Sequence, residues 1–399
     1  MLHTPHSRQH KGVALVSLCV ALLASACGSS SKTSATTTAA PAATTPAAAT
    51  TPAAATTPAA ATTPAAATTP AAATTPAASG TTAPAAGGTI KKGLKVYFIP
   101  KDTLNPYEVI ADDGGTSALK ELGGTVVVSS GTEDTAAAQI PSIQAAIADK
   151  ADAIVIAGND PDALCPSLAQ AQAAGIKVVA FDSDVKCPDH LFINQADTEG
   201  IGRSQVDLLA SQIDSTGEIA ILSAAATATN QNAWIDFMKK QLADKYPNMK
   251  LVDVVYGNDD PATSLTVLQG LLSAHPNLKG IISPTTVGIS TAAQYFSTHK
   301  DLAKKIVLTG LGLPSQMRAY IKDGTLKSFA LWNPNDLGYL AGYAAASLAS
   351  GVFTIKDGAK FTAGKLKEYT VSVPATGSPN VVLGLPQVFD LSNIDNFQF

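Results

Sequence analysis

Short apolar runs alternate with amphipathic stretches along the chain from residue 94 onward. Runs rich in β-branched and aromatic residues are typical of buried strands, and apolar residues three and four positions apart are typical of helices packed on a sheet. The first part of this pattern predicts strands over 95–99, 125–129, 153–157 and 177–181, with helices over 107–122, 136–148 and 161–174. Because strands and helices alternate, we expect a parallel α/β sheet.

The alternation begins again after an apolar run over 191–195. It predicts strands over 218–222, 251–256, 280–283 and 306–309, with helices over 230–243, 262–274 and 289–299. A strand over 326–332 and a helix over 336–350 follow, and we expect this helix to return the chain to the first sheet. The pattern therefore predicts an α/β fold with two doubly wound parallel-sheet lobes joined by a multi-strand hinge.

The order of these elements also predicts how the folded region divides. Residues 91–196 together with 333–352 are expected to form an N-terminal lobe, and residues 197–332 a C-terminal lobe. The remaining residues, 353–399, are expected to form a C-terminal segment that contains the last crossing of the hinge.

The first 26 residues have the pattern of a signal peptide. A basic start precedes an apolar run over 13–24 and small residues before Cys27. That run is too short to span roughly 30 Å of hydrocarbon as a helix. The block Leu23-Ala24-Ser25-Ala26-Cys27 resembles the lipobox of bacterial lipoproteins, so we expect Cys27 to carry a lipid anchor on the extracytoplasmic face of the cell membrane. Simple cleavage after Ala26 is the alternative.

Residues 27–90 contain a Thr-Thr-Pro-Ala-Ala-Ala unit that occurs about six times between positions 44 and 78, the last copy one alanine short. This repeat has no aromatic, branched aliphatic or charged residue with which to build a core, and its prolines block a continuous helix. We therefore expect a disordered, extended tether between the anchor and the folded region.

Charge and cysteine content narrow the function further. The net charge of −4 and the lack of a basic run argue against nucleic acid as a partner.

Cys165 and Cys187 are the two cysteines of the folded region, and both follow the ends of neighbouring predicted strands. Because export leads to an oxidising compartment, we expect a disulfide between them; two unrelated buried thiols are the alternative.

Polar residues follow the predicted strands, where parallel sheets bind their ligands. The candidate ligand-binding residues are Lys101, Asp182, Asp184, Asn230, Gln231, Pro284, Thr286 and Trp332. Six of them have an ordinary alternative role: Lys101 as a solvated surface charge, Asp182 and Asp184 as turn residues, Asn230 and Gln231 as N-cap and first-turn residues of a helix, and Trp332 as a core aromatic of the hinge.

The sequence contains no evident motif for catalysis or cofactor binding. The histidines lack metal-ligand spacing, and no nucleophile elbow, phosphate loop or complete dinucleotide fingerprint occurs. The block Asn258-Asp259-Asp260-Pro261 is interpreted as the cap of a helix that begins with proline. We therefore expect a binding protein with no catalytic residue, no metal and no cofactor.

Several short blocks resemble the ribose-type (type I) periplasmic binding proteins, and within that family the autoinducer-two and rhamnose receptors. They are Phe98-Ile99-Pro100-Lys101, Phe181-Asp182-Ser183-Asp184, Ile193-Asn194-Gln195, Gln231-Asn232-Ala233-Trp234, Met317-Arg318-Ala319-Tyr320 and Leu331-Trp332. The resemblance implies a receptor that closes its two lobes on a small sugar and delivers it to an ABC permease with its ATPase. It also implies a monomer. A sensor that presents its ligand to a signalling partner would use the same lobes and stays open as the alternative.

The resemblance assigns Lys101 and Asp182 to the ligand. The autoinducer-two receptors have an Asp-Gln pair and a Pro-x-Ala turn where this chain has Asn230-Gln231 and Pro284-Thr285-Thr286. An amide in place of a carboxylate replaces a charged acceptor by a group that also donates. A deoxyhexose such as rhamnose, or another pentose or hexose, is therefore expected as readily as autoinducer-two.

Overall fold

The computed structural model describes residues 88–399. Its larger sheet has the strands β1 (Lys95–Ile99), β2 (Thr125–Val128), β3 (Ala153–Ile156), β4 (Lys177–Phe181), β5 (Leu191–Ala196) and β13 (Asn380–Gly384). All pairings are parallel, in the order β13-β5-β4-β3-β1-β2. The helices α1 (Pro106–Glu121), α2 (Ala136–Ala148), α3 (Cys165–Ala173) and α10 (Pro334–Ala349) pack on it. We call this sheet and its helices the first lobe.

The second sheet has the strands β6 (Gly217–Ser223), β7 (Met249–Tyr256), β8 (Leu278–Ser283) and β9 (Val307–Gly310), which are parallel in the order β7-β6-β8-β9. Its helices are α4 (Thr198–Ala210), α5 (Thr229–Lys245), α6 (Pro261–Ala274), α7 (Thr286–Thr298), α8 (Lys300–Ala303) and α9 (Pro314–Lys322). This sheet and its helices form the second lobe. The predicted fold class, two parallel α/β lobes, is confirmed.

The chain passes between the lobes three times. It leaves the first lobe after β5, and it returns after β10 (Ser328–Leu331) to begin α10. After a small hairpin of β11 (Lys360–Thr362) and β12 (Glu368–Thr370), β13 joins the first sheet and β14 (Gln387–Asp390) pairs with β10. The exact domain boundaries given by the sequence pattern stay predictions.

Alternate side chains of the first sheet face two separate apolar cores, which explains why its strands have no polar face. Phe98 and Phe181 face the core shared with α1 and α10, whereas Tyr97 and Ile99 face the core under α2 and α3. The sheet is therefore covered on both sides, and its polar residues are confined to the strand ends.

The helix predicted over 161–174 begins later than expected. The carboxylate of Asp160 accepts hydrogen bonds from the backbone nitrogens of Asp162 and Ala163 at 3.0 and 2.9 Å, which holds residues 161–164 in turns. The helix starts at Cys165, which forms a disulfide with Cys187 across a Cα–Cα distance of 5.1 Å. The sequence pattern predicts no bounds for the helices α4, α8 and α9 or for the strands after residue 353.

The predictions for the signal peptide, Cys27 and most of the tether concern residues 1–87, which lie outside the described part of the chain. Among residues 88–399, no helix has the length and apolarity needed to cross a membrane.

Helices α1 and α10 approach each other closely because glycines lie at their contact. A Cβ atom on Gly338 would overlap the carbonyl oxygen of Ala111, and one on Gly114 would overlap that of Asn335. Tyr107 lies in the first turn of α1, and Trp332 directly precedes α10. The close packing of the two helices therefore fixes the distance between these two aromatic side chains.

Replacing Gly338 with alanine should lower the free energy of unfolding by about 1 to 3 kcal/mol, because the backbones of α1 and α10 must separate. Gly270→Ala is the matched control, since Gly270 lies in α6 with no atom near its would-be Cβ. That control should raise the free energy of unfolding by about 0.5 to 1 kcal/mol through helix propensity. Urea denaturation of both variants measures the difference; equal effects would contradict this description of the contact.

Candidate ligand-binding site

A cavity of about 30 Å³ lies between the carboxyl ends of the strands of the two lobes. Seven of the eight predicted ligand-binding residues line it: Lys101, Asp182, Asn230, Gln231, Pro284, Thr286 and Trp332. The other lining residues are Asn105, Tyr107, Glu108, Trp234, Asp259, Thr285, Leu311 and Leu331. The cavity could hold no more than one or two water molecules, far less than the roughly 300 to 1,000 Å³ of typical small-molecule sites. A sugar can therefore enter only if the lobes move apart.

Asp184, the eighth predicted residue, does not line this cavity. Its carboxylate accepts a hydrogen bond from Ser378 at 2.7 Å and lies 2.8 Å from Nε2 of His190, whose other ring nitrogen contacts the carbonyl oxygen of Cys187 at 2.7 Å. These contacts tie the loop after β4 to the C-terminal segment. The structure thus separates Asp184 from the other candidates because its carboxylate turns towards that segment.

Asp182 is held at the centre of the site by its backbone and by its neighbours. It follows β4 with a φ of +58°, a left-handed conformation that aspartate and asparagine adopt more readily than most residues. Its Oδ1 accepts hydrogen bonds from the Tyr107 hydroxyl at 2.8 Å and from Gln195 Nε2 at 2.7 Å. Its Oδ2 accepts one from Asn230 Nδ2 at 3.0 Å.

Lys101 follows β1 and forms an ion pair with Asp182, with 3.1 Å between Nζ and Oδ2. The two side chains are only 6% and 4% exposed. Burial disfavours the charge of Lys101, but the carboxylates of Asp182 and Asp134 outweigh that effect and raise its pKa. The solvated role considered for this lysine is therefore wrong.

Three aromatic side chains form one wall of the cavity. Trp332 lies between Tyr107 and Trp234, with ring centroids 6.3 and 5.8 Å away. Its indole nitrogen donates to the Tyr107 hydroxyl at 2.8 Å, and that hydroxyl donates to Asp182. Trp332 is thus both a buried residue of the hinge and part of the cavity wall. Burial, followed by the charge of Asp182, raises the pKa of Tyr107 well above its usual value, so this phenol stays a donor.

Hydrogen bonds cross directly between the lobes beside the cavity. Asn230 donates to Asp182, and the Ser183 and Thr229 hydroxyls lie 3.0 Å apart. Thr227 donates to the carbonyl oxygen of Asn159 at 2.9 Å. These contacts can form only when the lobes are together, so the structure represents a closed form.

Asn230 and Gln231 have the first-turn position considered for them, but neither caps the helix, because the N-cap of α5 is Ala228. Both lie in the first turn of α5 and both line the cavity. The Oε1 atom of Gln231 accepts from the Ser223 hydroxyl at 2.6 Å and from the backbone nitrogen of Ala224 at 2.8 Å. Gln231 therefore fixes the loop after β6 and keeps its amide group at the cavity.

The sequence reasoning missed Tyr107, Glu108, Trp234 and Asp259. The start signal Asn105-Pro106, six residues after the end of the first strand, could have located Tyr107 and Glu108, because Asn105 caps α1 there. Asp260 caps α6, as the sequence predicted for its block, whereas Asp259 lines the cavity and accepts from the Thr285 hydroxyl. The indole nitrogen of Trp234 is buried and has no hydrogen-bond partner among residues 88–399.

The arrangement is suited to binding and offers no evident catalysis. Carboxylate and amide acceptors, a lysine and indole donors surround a space that also has aromatic and aliphatic walls. Neutral polyhydroxylated molecules need this combination of directed hydrogen bonds and apolar contact. Within residues 88–399, no group of three or more histidine, cysteine or acidic side chains is placed to hold a metal ion.

Comparisons with known proteins agree on the class of this chain. The family model described as "Periplasmic binding protein domain" matches residues 96–352. An ABC transporter solute binding protein from Clostridium phytofermentas with bound L-rhamnose is 39% identical, with a TM-score of 0.74 over 77% of this chain and 98% of that chain. LsrB from Clostridium saccharobutylicum in complex with AI-2 is 26% identical, with a TM-score of 0.73 over 77% of this chain and 100% of that chain.

A curated relative gives a shorter match. The D-apiose import binding protein of Actinobacillus succinogenes is 26% identical over 193 residues, which cover 48% of this chain and 61% of the relative. The match thus spans less than two thirds of that protein.

The ion pair between Lys101 and Asp182 yields a stability test. Asp182→Asn, which tolerates the left-handed backbone, and Lys101→Met should each lower the free energy of unfolding by about 3 to 5 kcal/mol, because each leaves its partner buried and unpaired. The double variant should lose less than the sum, by about 0.5 to 3 kcal/mol. Urea denaturation of the four proteins measures this coupling.

The exposed pair of Lys186 and Asp162, 2.9 Å apart with side chains 63% and 70% exposed, serves as the control. Lys186→Met and Asp162→Asn should each cost less than about 1 kcal/mol and should combine additively. Additive losses at Lys101 and Asp182 as well would contradict the description of a coupled buried pair.

Proposed function

Because this chain belongs to the periplasmic binding protein family, we propose that it is an extracytoplasmic solute-binding protein that closes its two lobes on a small sugar. The observation that carries the proposal is the position of Asp182. Its carboxylate lies at the cavity between the lobes and receives hydrogen bonds from both of them. A ligand that bonds to both lobes in the same way favours the closed form and thereby shifts the equilibrium towards it.

A deoxyhexose such as L-rhamnose is the ligand class that we propose first. The solute binding protein with bound L-rhamnose is 39% identical to this chain, against 26% for the AI-2 complex. Leu311, Leu331 and Pro284 provide aliphatic surface at the cavity for a methyl group. In this chain Asn230 donates a hydrogen bond to Asp182. The autoinducer-two receptors have a carboxylate at the position of Asn230, and a carboxylate there would repel the carboxylate of Asp182.

We further propose that the receptor is held at the cell membrane through Cys27 and the Thr-Pro-Ala tether, and that it acts as a monomer. The lipobox resemblance and the composition of residues 27–90 support this proposal. The proposed partners are an ABC permease and its ATPase, because the related solute binding proteins are named as parts of ABC transporters. Transfer of the ligand to the permease requires the lobes to open again.

A thermal-shift screen tests this function. L-Rhamnose is expected to raise the melting temperature selectively over D-ribose, D-xylose, D-galactose and AI-2, because a ligand at one hundred times its Kd stabilises the folded state by about 2.7 kcal/mol. Lys101→Met should abolish the shift, whereas Lys186→Met, at an exposed lysine of the same lobe, should retain it. A protein that responds to none of these ligands would contradict the proposed function; a selective response to another sugar would correct the ligand alone.

A further inference from the structure

Glu108 is a buried carboxyl group at the cavity, and one of its oxygens has no hydrogen-bond partner in the described part of the chain. It lies in the first turn of α1 and is 1% exposed. Its Oε2 is fully buried, and no group within residues 88–399 bonds to it. A buried polar group without a partner is costly, and an ionised one more so. The side chain lines the cavity, so a bound ligand is the natural partner for it.

The groups around Glu108 are mostly acidic. Asp182 after β4, Asp102 after β1 and Asp112 one turn along α1 face it from the first lobe, and Asp259 lines the same cavity from the second. The neighbouring cation is Lys101, whose Nζ is paired with Asp182. Burial and then the charge of Asp182 raise the pKa of Glu108 well above its usual value. The start of α1 favours an anion, but by less than the cost of burying an unpaired carboxylate.

We infer that Glu108 binds the ligand as a neutral carboxylic acid, donating one hydrogen bond and accepting another, so that closure on an uncharged polyol takes up one proton. This inference rests on the proposed function and narrows its ligand class. A carboxylic acid matches a pair of adjacent hydroxyls, since each hydroxyl can both donate and accept. A cationic ligand, such as an amino sugar, would instead keep Glu108 ionised.

The sign of the pH dependence follows from the two forms of the protein. When the lobes part, water reaches the cavity and Glu108 ionises at neutral pH, as an ordinary glutamic acid does. The closed form binds one more proton than the open form. Linkage is reciprocal, so the affinity for an uncharged sugar falls as pH rises, by up to about tenfold per pH unit.

Glu108→Gln isolates this proton, because glutamine keeps one donor and one acceptor in nearly the same shape but cannot ionise. The experiment is isothermal titration calorimetry of the full chain with L-rhamnose at pH 7.5, in buffers of different ionisation enthalpy. If another sugar gives the largest thermal shift, that sugar replaces L-rhamnose. The slope of the binding enthalpy against buffer enthalpy gives the number of protons taken up.

Asp112→Asn is the matched control. Asp112 lies on the same helix and is 5% exposed, and its Oδ1 has no partner among the described residues. Burial, followed by the charge of Asp113, raises its pKa to about 8. It does not line the cavity. Ligand binding should therefore leave the protonation of Asp112 unchanged. Asp134, whose pKa burial and Asp259 raise to about 7, can add to the total uptake, so the decisive quantity is the difference between variants.

We expect Glu108→Gln to take up about one proton fewer than the unaltered protein and to bind with an affinity that varies less between pH 6 and pH 8. Asp112→Asn should match the unaltered protein in both respects. Equal proton uptake in Glu108→Gln and the unaltered protein, with normal sugar binding in both, would overturn this inference alone. A larger proton uptake in Glu108→Gln than in the unaltered protein, or preference for an amino sugar, would also overturn it. Failure of every sugar to bind at any pH would overturn the proposed function and this inference with it.

Discussion

A carboxyl group buried between two lobes is costly unless donors surround it, and Asp182 meets that requirement with groups from both lobes. Lys101 and Tyr107 come from the first lobe, and Asn230 comes from the second. Trp332, at a crossing between the lobes, donates to Tyr107 and so joins the hinge to the same set of contacts. The position of one side chain therefore depends on both lobes being together, and the closed form depends in turn on that side chain.

The close contact between α1 and α10 at their glycines holds Tyr107 and Trp332 near each other beside Asp182. It brings Tyr107 on one helix close to Trp332 before the other, without any side chain between the backbones. Apolar cores on both faces of the first sheet leave the strand ends as the place where polar residues can gather. The site is thus a consequence of ordinary packing in a parallel sheet, with its chemistry supplied by loops.

The alternation of apolar runs predicted both lobes, because buried parallel strands and amphipathic helices have different periods that a sequence displays directly. The sequence could identify four of the cavity residues because each follows a predicted strand or a crossing between the lobes: Lys101, Asp182, Asn230 and Trp332. The position of a residue after a strand does not determine the direction of its side chain. The carboxylate of Asp184 accepts a hydrogen bond from Ser378 and does not face the cavity. Asp259 lines the cavity, whereas its neighbour Asp260 caps the helix. The sequence did not indicate Glu108 as a site residue, because glutamates are common in the first turn of a helix and the sequence does not show that this one is buried.

We propose that the cleft closes on its ligand through contacts of both lobes with the region of Asp182. Small-angle X-ray scattering of residues 88–399, with and without the sugar that gives the largest thermal shift, is the most direct test. A closed globular unit of this length should have a radius of gyration of about 20 Å. The radius of gyration should be larger without sugar and should fall towards that value at saturation. An unchanged radius of gyration at saturating sugar would contradict it.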